Sequence, residues 1–174
     1  MKKNVLFITQ GAIIAALYTV LTVLAGSLNL ASGVIQVRFS EALTILPAFT
    51  PAAIPGLFIG CIISNILTGC MPLDTVFGSL ATLIGAVGTY LLTHKKKDGA
   101  WVFKPGKVSA AVTPIPPILA NTIIVPFVLA YVDMYEGGVP FFMLTVGIGE
   151  ILSCGVLGLI LYGALYPRRN QIFG

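Results

Sequence analysis

Among the polar and charged residues inside or at the edges of long apolar stretches of this chain, six invite a chemical reading: Arg38, Glu41, Asn65, Asp74, Asn121 and Glu150. An ionisable group in or beside hydrocarbon is costly, so by default it marks a ligand or ion site rather than packing. Glu41 and Glu150 are the hardest to dismiss, because each needs to be protonated, paired or open to a water-filled cavity. Arg38 and Glu41, three residues apart in Val37-Arg38-Phe39-Ser40-Glu41-Ala42-Leu43-Thr44-Ile45-Leu46-Pro47, have a plainer alternative as a structural ion pair. Glu150 has no such neighbour in sequence. Asp74 also has a second reading, as an acid at a helix N-terminus that complements the macrodipole.

Other chemistries are not supported. Gly106-Lys107 is followed by Val108, and no glycine stands at the required distance before it, so there is no phosphate-binding loop. The single His94 lies beside Lys95 without a Cys, His or acidic cluster, which makes a poor metal site. Cys61, Cys70 and Cys154 are odd in number and lack metal-ligand spacing, so they read as small apolar fillers. No nucleophile with a neighbouring base is present, so no catalytic residue, metal or cofactor is expected.

The elements that must position these residues are membrane spans. The chain of 174 residues is 57% hydrophobic and only 9% charged, with a mean hydropathy of +0.99; a soluble domain carries roughly 25% charged residues. The length allows several crossings of about 20 residues but no additional soluble catalytic domain. A net charge of +4 does not imply a nucleic-acid partner, because the basic residues flank apolar segments, where they set orientation.

Spans are expected at residues 5–25, 39–50, 52–69, 73–93, 108–132 and 141–166, giving an all-α bundle in one transmembrane domain of residues 1–174. Val23-Leu24-Ala25 resembles a processing site, but the apolar run before it exceeds the usual signal-peptide core. Residues 39–67 are too long for one straight span and short for two, and Pro47, Pro51 and Pro55 interrupt them where a turn would fall. Charge parity decides for two. Lys2 and Lys3, the group Lys95, Lys96, Lys97, Lys104 and Lys107, and Arg168 and Arg169 share the cytoplasmic side only if an even number of crossings separates residues 26 and 73. Both termini are then cytoplasmic, and Arg38 is the one basic residue of ten on the outer side.

This topology places Glu41 just inside the outer end of the second span, Asn65 and Asp74 near the same face, and Asn121 halfway along the fifth. Glu150 falls about 15 Å below the outer start of the sixth span. Asp133 and Glu136 read as solvated loop acids, and Trp101 as an interface anchor on the inner side. In the first span, Gly11 with Ala15 and Ala12 with Ala16 form small-residue stripes that permit close approach of another helix, either a partner's or one of the bundle's own.

The run Val37 to Pro47, followed by Gly56-Leu57-Phe58-Ile59-Gly60-Cys61 and Asn65, resembles the QueT family, the queuosine-precursor substrate-binding (S) components of energy-coupling factor (ECF) transporters. The resemblance runs over most of the chain, and the R-x-S-E-A-L-T run is its most specific part. It implies a prokaryotic plasma-membrane protein of six helices that captures a 7-deazaguanine such as 7-aminomethyl-7-deazaguanine. It also implies separate partner chains: a transmembrane coupling subunit, docked on the small-residue face of the first helix, and two ATPase subunits.

Such a ligand presents N1–H and an exocyclic NH2 as parallel donors, which one carboxylate accepts in bidentate fashion; Glu41 or Glu150 would serve. Its O6 needs a donor, from Asn65, Asn121 or Arg38, and its cationic aminomethyl group wants a second carboxylate or a ring of carbonyls. Phe39, Tyr131 and Phe142 are expected as apolar walls for the ring. Two other readings compete: an S component for another vitamin, riboflavin or thiamine, and an autonomous proton-coupled carrier using Glu41 and Glu150 as a relay.

Overall fold

The computed structural model describes residues 2–30, 36–97, 100–103, 107–133 and 138–173. Lys104 and Glu136 lie outside them. Helix α1 (Lys2–Ser27) opens the chain, and a ten-residue 3₁₀ segment (Phe39–Ala48) follows. Then come α2 (Ala53–Leu67), α3 (Pro72–Thr93), a hairpin of β1 (His94–Lys97) and β2 (Ala100–Phe103), α4 (Lys107–Val112) and α5 (Ile115–Asp133). The last long rod is composite: α6 (Gly138–Glu150), a π-helical turn (Ile151–Leu157), α7 (Gly158–Leu165), a short 3₁₀ turn (Tyr166–Arg168) and α8 (Arg169–Ile172).

Four helical stretches are long and apolar enough to cross a membrane: Asn4–Ser27, Pro72–Thr93, Ser109–Tyr131 and Gly138–Ile172. Helix α2 is apolar but shorter, at 15 residues. The distribution of polarity matches: Ile8, Ile66, Leu67, Leu144 and Ile160 are each at least 64% exposed, whereas Ser40, Thr44, Ser64, Asn65, Thr82, Thr89 and Asn121 are buried. A surface apolar outside and polar within suits lipid rather than water, where lone hydroxyls must be satisfied internally. Many are, by bonding back along their own helix, as Thr22 Oγ1 does to the Tyr18 carbonyl (2.9 Å) and Thr82 Oγ1 to that of Gly78 (3.0 Å).

The 3₁₀ segment is the axis of the bundle. Residues Ser40 to Ala48 are all buried, packed among α1, α2, α3, the π turn and α7. A 3₁₀ helix rises about 2.0 Å per residue against about 1.5 Å for an α-helix, so ten residues cover roughly 20 Å. That longer reach is how residues 39–67 supply two passes through the bundle with too few residues for two ordinary spans.

Both ends of the chain meet at one end of the bundle. Gln10 Nε2 donates to the Ile172 carbonyl (3.5 Å), and Gln10 Oε1 accepts from Thr50 Oγ1 (2.8 Å). Phe49 stacks on Phe173 (5.7 Å between centroids) and contacts Tyr162 (4.9 Å) and Phe103 of the hairpin (6.0 Å). The hairpin is antiparallel, with His94 opposite Phe103 and Lys96 opposite Trp101. Lys95, Lys96, Lys97, Arg168 and Arg169 all sit at this end, while Arg38 lies away from it among the described residues. His94, stacked on Tyr90 at 4.1 Å, is buried, and that desolvation lowers its pKa despite the bond to the Tyr90 carbonyl.

Helices α1 and α2 pack through glycine. A Cβ on Gly60 would stand 2.9 Å from the Ala15 carbonyl oxygen, and one on Gly56 2.7 Å from that of Gly11. Gly11 and Ala15 therefore face α2 inside the protein. Ala12 and Ala16 remain exposed and line an open apolar groove with Phe7, Ile8, Ile59 and Ile63. The two small-residue stripes of α1 thus differ in exposure: Gly11 and Ala15 pack against α2 and reach only the floor of the groove, whereas Ala12 and Ala16 are exposed in it.

Candidate ligand-binding site

The 3₁₀ segment carries Glu41 into the interior, where the residue is 2% exposed. Its Oε1 accepts a hydrogen bond from the Tyr18 phenol of α1. Its Oε2 is buried without a partner. From the far side, α6 ends on Glu150, and the π turn begins at the next residue. Glu150 Oε2 accepts from the Cys154 thiol at 3.0 Å. Cys154 also meets the Glu41 carbonyl (3.4 Å) and Thr44 Oγ1 (3.3 Å), tying the π turn to the 3₁₀ segment. Carboxylate oxygens of Glu41 and Glu150 and the Cys154 sulfur all lie within 4.8 Å of one another.

A cleft opens against this pair, lined by Gln36, Arg38, Glu41, Gly78, Thr82, Asn121, Val125, Val146 and Glu150. Asn121 is 4% exposed; its amide faces Glu150, yet Nδ2 makes no hydrogen bond of normal geometry. The cleft thus contains an unsatisfied buried acceptor and an unsatisfied buried donor, a rare combination in a native interior. The space for the centre of a water-sized sphere is about 20 Å³, room for on the order of one water. A larger ligand requires the walls to part.

Arg38 does not pair with Glu41. Its guanidinium donates to Gln36 Oε1 (3.4 Å), and its backbone N–H bonds to Ser153 Oγ (3.2 Å). Ser153 lies fifteen residues beyond Gly138, roughly 22 Å along the rod. Arg38 is therefore deep in the bundle rather than at its rim, which also brings Glu41 level with Glu150 instead of well above it. Gly149 permits this path, since a Cβ there would collide with the Gln36 carbonyl oxygen. Extended backbone at this depth is tolerable because protein groups satisfy it.

The remaining expected site residues are placed as follows. Asn65 is 1% exposed and donates to Cys61 Sγ (3.7 Å), one layer behind the cleft. Asp74, half-buried in the first turn of α3, flanks Gly78 with Asn65 and lies in the electrostatic field of Arg38. None of the three expected aromatic walls lines the cleft. Tyr131 is 78% exposed on α5, in a separate apolar groove with Leu73, Phe77 and Phe127. Phe39 is half-buried at the start of the 3₁₀ segment, and Phe142 is buried on α6 against Phe141 (5.8 Å, edge-on). The walls are aliphatic, Val125 and Val146. The aromatic assignments assumed that residues of equal depth share a face, which the helical rotation of α5 does not honour.

Comparison with known proteins decides the family. A model described as QueT transporter matches residues 8–167, nearly the whole chain. The chain belongs to the QueT transporter family. It is a multi-pass membrane protein, and the resemblance carried by residues 37–47 is borne out. A curated relative, the "Queuosine precursor transporter QueT" of Lactococcus lactis subsp. cremoris (strain MG1363), is 38% identical over 103 residues, 58% of this chain and 60% of that protein. The match thus spans less than two thirds of the relative. No solved structure matches the chain.

For this QueT-family chain, sequence reasoning missed Tyr18, Gln36, Thr82 and the role of Cys154. Two of these carried a signal. Cys154 stands four residues after Glu150, one turn along the same helix face, and Tyr18 puts a phenol in the middle of an apolar span, where a buried hydroxyl needs a partner. Gln36 and Thr82 had none, since their positions follow from the path of the 3₁₀ segment.

Proposed function

We propose that this chain is the substrate-capture subunit of an ATP-driven ECF importer and that it binds a queuosine precursor, a 7-deazaguanine such as 7-aminomethyl-7-deazaguanine, in the cleft between Glu41 and Glu150. The observation that supports it best is the orphan pair: Glu41 Oε2, an acceptor, and Asn121 Nδ2, a donor, buried in one cleft. A guanine-type edge offers N1–H and NH2 to a carboxylate and takes a donor at O6, so it satisfies both. Glu41 reads the N1/N2 edge, Asn121 donates to O6, and Glu150 meets the aminomethyl cation. Val125 and Val146 flank the ring. Thr82 and Gln36 add hydrogen-bonding groups to the wall.

In this reading the end bearing both termini and Lys95, Lys96 and Lys97 is cytoplasmic, by the positive-inside bias, and the ligand enters from the opposite side. The exposed stripe Ala12 and Ala16 receives the coupling subunit, and energy comes from two separate ATPase chains. The cleft has to widen to admit the base, with Gln36 and Arg38 over α6 as the movable wall.

The test is direct titration of the purified chain with 7-aminomethyl-7-deazaguanine, with riboflavin and thiamine as controls. Saturable binding of the deazaguanine alone is expected; no binding, or preference for a vitamin, overturns the assignment. Liposomes containing only this chain are expected to show no uptake, and accumulation driven by a proton gradient without ATPase partners would replace the ECF reading by an autonomous carrier.

A further inference from the structure

We infer that Glu41 and Glu150 hold one exchangeable proton between them, and that a cationic ligand displaces it, so that the site exchanges a proton for the ligand's ammonium. This rests on the reading above and adds how the site distinguishes a charged ligand from a neutral one.

The charge inventory of the cleft carries the inference. Its lining contains one cation, Arg38, and two acids, Glu41 and Glu150. Asp74 stands behind Arg38 on α3 and adds negative charge to the same field. The other titratable groups facing the pair are Tyr18 from α1, Cys61 from α2 and Cys154 from the π turn. Each is neutral when protonated, and Tyr18 and Cys154 donate the hydrogen bonds already described. Among the described residues, then, no second cation faces the two carboxylates. With both ionised, at least one carboxylate would be uncompensated in a nearly waterless space, with another acid's oxygen within 4.8 Å.

Two acids so placed share a proton, because the second ionisation works against both desolvation and the first charge. Glu41, which lines the same space, has its Oε2 buried without a partner. A ligand ammonium seated between the acids supplies the positive charge that the proton supplied. The proton then leaves to solvent, and the charge of the site is unchanged by the exchange. A neutral ligand brings no such charge and leaves the proton in place.

The experiment is isothermal titration of the purified chain at pH 7 in phosphate and in Tris, whose ionisation enthalpies differ. The probes are 7-aminomethyl-7-deazaguanine and the uncharged 7-methyl-7-deazaguanine. Release of about one proton per amine bound, and of about none per neutral compound, is expected, with affinity for the amine alone rising about tenfold per pH unit where the pair holds its proton. The comparison of two ligands on the unaltered protein needs no variant. Glu150→Gln, which fixes the site in an uncharged form at that position, is expected to abolish proton release and most of the preference for the amine. Amine binding with no buffer-dependent heat overturns the proton exchange while leaving the proposed ligand intact. Failure of both compounds to bind overturns the ligand reading and this inference together.

Discussion

Glu41→Gln separates a ligand-reading carboxylate from a structural one, because the two roles move affinity and stability in different directions. In the empty protein, Glu41 Oε1 accepts from Tyr18 and Oε2 has no partner. Glutamine is nearly isosteric and keeps an amide oxygen for the Tyr18 phenol, so the apo protein loses no hydrogen bond. With one proton shared between Glu41 and Glu150 as inferred above, the variant also leaves the charge of the empty cleft unchanged, Glu150 being the remaining acid beside Arg38. The melting temperature of the unliganded variant is therefore expected to be unchanged. The bound state is different. The amide NH2 now occupies the place of Oε2 and faces a ligand donor, so one charge-assisted bond of about 1.5–3 kcal/mol is lost and a donor is left opposed, costing a further 1–3 kcal/mol. A total of about 2.5–6 kcal/mol corresponds to a dissociation constant weaker by at least about 70-fold. Titration calorimetry and a melting assay on the same preparation measure both quantities. Native affinity in the variant would refute the assignment of Glu41 to the base edge, and a parallel fall in affinity and melting temperature would show a structural group.

Three further substitutions test the surrounding shell. Tyr18→Phe leaves Glu41 Oε1 without its donor, and the unliganded protein is expected to lose about 1–3 kcal/mol of stability by denaturant melt, with weaker ligand binding; no change would place the phenol outside the site. Gly149→Ala drives a methyl group into the Gln36 carbonyl; the displaced wall is expected to weaken ligand binding, with about 1–3 kcal/mol of destabilisation from overpacking. Asn121→Ala removes a buried amide whose Nδ2 makes no hydrogen bond of normal geometry in the empty protein, so affinity is expected to fall about tenfold, the worth of one neutral hydrogen bond, in a binding titration, while a melt shows only the cost of the cavity left behind. Finally, Ala16→Trp fills the open groove on α1 and is expected to leave ligand titration intact while abolishing co-purification with the coupling subunit; intact co-purification would move the docking surface elsewhere.

The acids that line the cleft were conspicuous in the sequence because a carboxylate within an apolar segment is rare and expensive. Glu41, Glu150 and Asn121 stand out in any apolar segment for that reason, and Arg38 stands out by its separation from the other basic residues. The distribution of lysines implies an even number of passes between residues 26 and 73, and in the structure Gln10 of the first helix meets the Ile172 carbonyl of the last. Depth was less well determined. Counting about 1.5 Å per residue from a presumed surface assumes straight α-helices, and this chain departs from that rule at the two elements that matter most.

Those departures explain why the site could not be assembled from spacing. The extended Gln36–Arg38 stretch and the 3₁₀ segment lower Arg38 to the level of Ser153 and set Glu41 beside the C-terminal end of α6. The π turn that starts at Ile151 widens the last rod there and presents Ser153 and Cys154 to the 3₁₀ segment. Long 3₁₀ and π stretches are poor in intrinsic stability and are found where surrounding packing or function holds them. Here each supports the other: Cys154 binds the Glu41 carbonyl, Thr44 binds Cys154, and Ser153 satisfies the Arg38 amide. No local pattern in either segment announces the pairing, since it exists only once both are folded. The same mutual dependence gives the cleft a route to open, because any ligand that separates Glu41 from Glu150 also loads these three bonds, and they join the two least regular helices in the protein.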